Sequence, residues 1–177
     1  YGGNIVIRDG EGPRLDALRA PLDNDNWAYQ QWFEKGLHQL KHRALQANAY
    51  PRADGAYVLS YTVESPAAHG ATIRGGSSGT YTLDEHQDVP FNESDFKFTS
   101  NYIWTVYPDG SIELQSSITS NNSSLILPHL GFAMQIPADY GHYSYYGRGP
   151  VNNYADRKTG QFIQRYDSTV EGQYFPW

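Results

Sequence analysis

An all-β domain is predicted by three observations along the 177 residues. Seventeen Gly and 10 Pro are spread through the chain; β-branched and aromatic runs separate them; and in the clearest stretch apolar and polar residues alternate on either side of a tight turn. That stretch is Asn101-Tyr102-Ile103-Trp104-Thr105-Val106-Tyr107, then Pro108-Asp109-Gly110, then Ser111-Ile112-Glu113-Leu114-Gln115-Ser116-Ser117-Ile118-Thr119. Period-two alternation sends successive side chains to opposite faces of a strand, and Pro-Asp-Gly supplies a fixed φ followed by a residue that tolerates positive φ. A β-hairpin is therefore expected. Further strands are expected at 55–64, after the turn Pro51-Arg52-Ala53-Asp54, and at 79–83, 130–136 and 161–166. Six or more strands in one domain imply a sandwich.

One segment departs from the strand pattern. Asp23 or Asn24 is placed to cap a short helix over 26–35, with Gly36 as its stop, and Trp32, Phe33, Leu37 and Leu40 would then face the sheet. There is no internal repeat and no low-complexity tract, only the connectors Arg74-Gly75-Gly76-Ser77-Ser78-Gly79 and Ser120-Asn121-Asn122-Ser123-Ser124. No linker divides the chain, so residues 1–177 are read as a single domain.

Composition narrows the function classes. With 18% charged and 15% aromatic residues the chain is not of the disordered type. Lys and Arg number 13 against 19 Asp and Glu, a net charge of −6, and no basic stripe accompanies the aromatics, so nucleic acid is not an expected partner. No window approaches the roughly 18 apolar residues of a membrane span, and no membrane partner is expected. The opening Tyr1-Gly2-Gly3-Asn4 lacks the charged and apolar regions of a signal peptide. The absence of Cys excludes disulfides, thiolate metal sites and a Cys nucleophile, and fits a reducing cytoplasm and a periplasm equally well.

Short motifs carry little chemistry. Gly75-Gly76-Ser77-Ser78-Gly79 matches a nucleophile elbow in letters, but strand residues follow it where that device needs a helix, so a hairpin loop is the better reading. His38 and His42 stand four apart, a metal-ligand spacing, without the Glu of a zinc protease or a third ligand; surface histidines are the simpler reading. His129 and His142 are general-acid candidates by type. Asp23-Asn24-Asp25-Asn26 resembles the start of a calcium loop but has Ala28 where the loop's Gly belongs, which leaves a helix-capping turn. Glycosidic hydrolysis needs two carboxylates about 5 to 9.5 Å apart across a cleft. Glu64, Glu85, Glu93, Glu113 and Glu171 are candidates by type alone.

Two longer runs are more specific. Leu18-Arg19-Ala20-Pro21-Leu22-Asp23-Asn24-Asp25, followed by a Trp-containing helix ending in Lys35-Gly36-Leu37, resembles the opening of the C-terminal β-sandwich domain of bacterial β-galactosidases of glycoside hydrolase family 2. Tyr145-Tyr146-Gly147-Arg148-Gly149-Pro150-Val151-Asn152-Asn153-Tyr154-Ala155-Asp156-Arg157-Lys158-Thr159-Gly160 is similar to that family's run of aromatic, Gly-Arg-Gly-Pro, Asn-Tyr and Asp-Arg. Between and after them, Leu127-Pro128-His129-Leu130-Gly131-Phe132 and Tyr174-Phe175-Pro176 fall in the family's order and spacing. Leu18 stands where the family usually has Trp, His129 where it has Arg, and Val151-Asn152 where it has His or Gln then Glu. The loop after Asp25 is also shorter than the mobile one of the lac-type enzyme.

The resemblance implies a galactose-mutarotase-like supersandwich with one short helix after Asp23-Asn24-Asp25, as a truncated part of a larger β-galactosidase. It implies a non-catalytic accessory role, because the family's glutamates lie on a separate (β/α)8 barrel. It further implies an Asp23, Asn24, Asp25 and Asn26 loop close to the substrate, and Arg19, Arg148, Asn153, Tyr154, Asp156 and Arg157 as structural or interface residues. The parent's other domains and its β-galactoside are the expected partners, in a homo-oligomer, with Mg and Na held in other domains and no cofactor in this chain. A truncated sandwich would expose a sheet edge and tend to dimerise or aggregate. From the residues themselves, Gly147 and Gly149 are expected to permit unusual backbone angles around Arg148, whose guanidinium would pair with Asp156 or with carbonyls, or face a neighbouring domain. Asp156 and Arg157 offer a second pair. An aldose epimerase on the same fold, or a stand-alone carbohydrate-binding module with exposed coplanar aromatics, are the alternatives.

Overall fold

The computed structural model describes residues 12–67, 70–75, 81–85, 96–151 and 153–173. Among them are ten strands and one short α-helix: β1 Arg14–Asp16, α1 Tyr29–Glu34, β2 Arg43–Pro51, β3 Tyr57–Pro66, β4 Ala71–Gly75, β5 Tyr81–Glu85, β6 Lys97–Val106, β7 Ile112–Ser120, β8 Gly131–Ala133, β9 His142–Gly149 and β10 Phe162–Thr169. The fold is all-β, with several antiparallel sheets and the single helix where it was expected. Two compact units are present, Pro13–Ala133 and one containing the described residues from Met134 onward.

The first unit is built on a four-stranded sheet in the order β2-β3-β6-β7. The expected hairpin is its β6–β7 edge: Gly110 sits at φ 87°, and the turn closes through the Gly110 N–H to the Tyr107 carbonyl at 3.0 Å and the Ser111 N–H to Asp109 Oδ1 at 2.8 Å. Cross-strand partners share a face, so Tyr61 with Tyr102 and Leu59 with Trp104 lie on one side, while Thr62 with Asn101 and Gln46 with Thr62 lie on the other. On the apolar face Phe98 joins a core with Leu15, Ala28, Trp32, Leu37 and Leu125. The pair β1–β8 covers part of that face. Leu15 is paired with Phe132 across it; Leu15 enters the core and the Phe132 ring meets Tyr102 edge-on at 5.5 Å.

The helix is shorter than expected, and its start differs. Residues 23–25 form a separate 3-10 turn, and α1 begins after Ala28 with no side chain capping it. Neither Asp23 nor Asn24 caps α1, because the chain makes this turn first. Its stop is as read: Gly36 adopts φ 73°, the left-handed conformation that favours glycine. Trp32, Phe33 and Leu37 are buried and Leu40 partly so; Phe33 packs in a second small cluster with Ala71 and Ile73 of β4. β2, β4 and β9 had no periodicity strong enough to mark them, whereas the strand expected at 130–136 contracts to β8.

In the second unit β9 and β10 form an antiparallel ribbon in which Tyr145 faces Tyr166 and Arg148 faces Ile163. Tyr145 stacks between Tyr143 at 6.2 Å and Tyr166 at 5.2 Å between ring centroids. The Gly149–Pro150 peptide is cis.

Candidate functional site

The Asp23-Asn24-Asp25-Asn26 segment divides by burial. Asp25 is 7% exposed, whereas Asp23, Asn24 and Asn26 face solvent and Trp27 beside them is 66% exposed. The division has a local cause. Arg19 forks onto Asp25 through two hydrogen bonds, Nη1 to Oδ2 at 2.6 Å and Nη2 to Oδ1 at 3.0 Å. Asp25 Oδ2 also accepts the Leu22 N–H at 2.6 Å, closing the turn that Pro21 enters. The Arg19 bonds hold the Asp25 carboxyl below its ordinary range, against the opposing effect of burial.

This clasp is anchored in the core. The Arg19 guanidinium lies 5.7 Å from the Trp32 ring centroid, and the Trp32 indole N–H donates to the Ile126 carbonyl at 2.8 Å. One helix residue thus ties the motif to the segment after β7. The motif is a rigid turn: Asp25 is held inside, and Asp23, Asn24, Asn26 and Trp27 are displayed outside.

At the second motif the glycines are not there for the unusual backbone angles expected of them. Neither Gly147 nor Gly149 has a positive φ among the backbone values. Gly149 is required for space: a Cβ there would run into the Tyr145 hydroxyl and stand 2.9 Å from Cε2 of Tyr166. The Tyr166 hydroxyl donates to the Gly149 carbonyl at 2.8 Å, with the Phe162 carbonyl at 2.9 Å. At Gly147 a Cβ would meet Tyr145 Cδ2 at an ordinary 3.6 Å. Arg148 donates from Nη1 to the Gln161 carbonyl at 3.1 Å, so of its expected partners it takes a carbonyl and not Asp156. Asp156 and Arg157 are exposed in a turn closed by the Arg157 N–H to the Tyr154 carbonyl at 3.0 Å, and no ion pair joins them among the described residues. Asn153 and Tyr154 are exposed beside that turn.

Some of the remaining candidates are held by their neighbours, and others are exposed or lie outside the described residues. Glu64 is buried between two cations, accepting from Lys97 Nζ at 2.8 Å and Arg43 Nη2 at 2.5 Å, and Lys97 first, then Arg43, hold its carboxyl low. Glu113 accepts from Gln115 and from the Tyr107 hydroxyl. Glu171 is exposed in a 3-10 turn. Glu93, Ser77, Ser78, Asn152 and 174–177 lie outside the described residues. His38 packs on Phe33 at 5.3 Å, and His42 Nδ1 lies 2.9 Å from the oxygen of fully buried Ser65. His129 and His142 are exposed. Among the described residues no group of three or more His, Asp or Glu could hold a metal. The Lys97–Glu64–Arg43 cluster and the His42–Ser65 contact escaped the sequence reading because strand register alone assembles them.

The family model described as the beta galactosidase small chain matches residues 1–177. The chain belongs to that family. It is 37% identical over 174 residues to a beta-galactosidase of Halalkalibacterium halodurans, covering 97% of this chain and 14% of that protein. It is 22% identical over 187 residues to one of Psychromonas ingrahamii, covering 99% of the chain and 15% of the relative. With one of Priestia megaterium it shares 31% identity over 84 residues, 47% of the chain and 8% of the relative. The chain spans about a seventh of the length of the first two of these relatives.

Proposed function

We propose that this chain is a non-catalytic accessory domain of a β-galactosidase acting on terminal β-D-galactosides. In this reading both units belong to one mutarotase-like sandwich domain, and the exposed Asp23, Asn24 and Asn26 border a sugar site whose reacting carboxylates lie in other domains. The observation that carries it is the Arg19–Asp25–Trp32 clasp, which sets a polar turn rigidly at the surface while keeping its own carboxylate out of use. A preformed turn loses little entropy when it hydrogen-bonds sugar hydroxyls, so its binding energy goes to orientation. The engaged states of Glu64 and Glu113 support placing the acid and nucleophile elsewhere. Arg148 and the exposed Asn153, Tyr154, Asp156 and Arg157 belong to loop fixation and to an interface with the barrel domain or a second subunit.

Two assays test the reading. The 177-residue chain alone should leave nitrophenyl β-galactoside intact and not accelerate galactose mutarotation. In the parent protein, Asn24→Ala and Asp23→Ala should each lower kcat/KM roughly 10-fold, the loss of a hydrogen bond or two to substrate. Hydrolysis by the chain alone, or unchanged kcat/KM in both variants, would sink the proposal.

A further inference from the structure

A second feature of the first unit lies apart from the Asp23–Asp25 turn. A cavity of about 330 Å³ is bordered by Arg14 and Asp16 of β1, by His38, Gln39 and Leu40, and by His42. Its size falls at the lower end of small-molecule pockets, enough for one compact ligand. Strand alternation places Arg14 and Asp16 on the same side of β1, so a cation and an anion stand two residues apart at the rim.

The His42 imidazole and the Gln39 amide add further polar groups. His42 is held by its Nδ1 contact with Ser65 at 2.9 Å, and burial, with the Arg14 charge as a lesser cause, favours the neutral imidazole. Its Nε2 has no partner among the described residues, nor has the exposed Gln39 amide. Asp16 engages one carboxylate oxygen, with the Leu18 N–H at 3.3 Å. Leu37, Leu40 and Ala133 supply apolar wall.

Donors and acceptors together, a rim carrying both signs of charge and an adjoining aliphatic wall suit a molecule whose hydroxyls both donate and accept and whose ring presents a C–H face. A multivalent anion would meet Asp16 and a neutral imidazole, and a purely apolar ligand would strand the Gln39 amide, His42 Nε2 and Asp16. We propose that this cavity binds a single neutral polyol of monosaccharide size, oriented by Gln39, His42 and Asp16. The site is separate from the accessory-domain reading and stands or falls without it.

Saturation-transfer NMR on the full 177-residue chain with D-galactose, D-glucose and myo-inositol tests the proposal, with inorganic phosphate and citrate as competitors. At least one polyol should receive saturation. Gln39→Ala and His42→Phe should each weaken its binding roughly 3- to 10-fold, the loss of one hydrogen bond. Tyr146→Ser, at an aromatic ring 78% exposed in the other unit, should leave it unchanged. Gln39 is on the surface, so its variant keeps the test open if His42→Phe does not fold. No transfer from any polyol, transfer undiminished in a folded Gln39→Ala, loss of transfer in Tyr146→Ser, or displacement by phosphate or citrate would each overturn the proposal, the last in favour of an anion site.

Discussion

Replacing Arg19 with Gln removes the cation that holds Asp25. The Asp25 side chain is 10% exposed and that of Arg19 29%, so the pair lies between two regimes. Stripping one partner from a fully buried pair costs about 3–5 kcal/mol, while an exposed pair contributes about 0–1. Two hydrogen bonds at 2.6 and 3.0 Å on a nearly covered carboxylate place R19Q at roughly 2–3 kcal/mol. Loss of the guanidinium over Trp32 at 5.7 Å adds roughly 0.5 kcal/mol. For a chain of this size each kcal/mol moves Tm by roughly 2–4 °C, so R19Q should melt about 5–14 °C below the parent.

Asp25→Asn keeps an oxygen for the Leu22 N–H and should cost less, about 1–2 kcal/mol. The pair also has a pH signature. Asp25 titrates below its ordinary value of 3.8 in the folded chain, so its contribution is complete above that pH and disappears as pH falls through the folded pKa. The gap between parent and R19Q should therefore narrow under acid. Thermal unfolding by circular dichroism of the two single variants and the double variant, at neutral pH and in acid, reads all of this. An R19Q loss below about 0.5 kcal/mol, or a double variant that simply sums the singles, would refute the clasp.

Gly149→Ala should destabilise by about 1–3 kcal/mol through overpacking against Tyr145 and Tyr166, whereas Gly147→Ala should stay below about 1, measured by urea unfolding. Gly110→Ala should lose roughly 1 kcal/mol, since φ 87° is strained for any residue with a Cβ. Glu64, held low by Lys97 and Arg43, stabilises the fold above its ordinary value of 4.5 and loses that effect as pH falls through its folded pKa. Glu64→Gln should therefore flatten the acid limb of the stability profile in a melting series from neutral pH downward.

What was legible in the sequence was local. The hairpin around Pro108-Asp109-Gly110 and the helix stop at Gly36 were readable because a turn needing positive φ admits few residues, and the alternation of 101–107 marked a strand. The family was legible in the two long runs. β2 was not, since Arg43–Pro51 is an edge strand exposed along its length and lacks the alternation that burial on one face imposes.

Tertiary structure decided which groups meet. Asp23 and Asp25 are alike in sequence, and only the Arg19 fork and Trp32 beneath it send one inward and leave the other at the surface. Gly149 was expected to permit an unusual backbone angle, yet it is a gap filled by two tyrosines that the β9–β10 register brings over it. Glu64 looked like any candidate acid until register set Lys97 and Arg43 beside it. Backbone preference acts over a few neighbouring residues and is written in order along the chain. Charge pairing and close packing depend on distances that only the folded sheets establish.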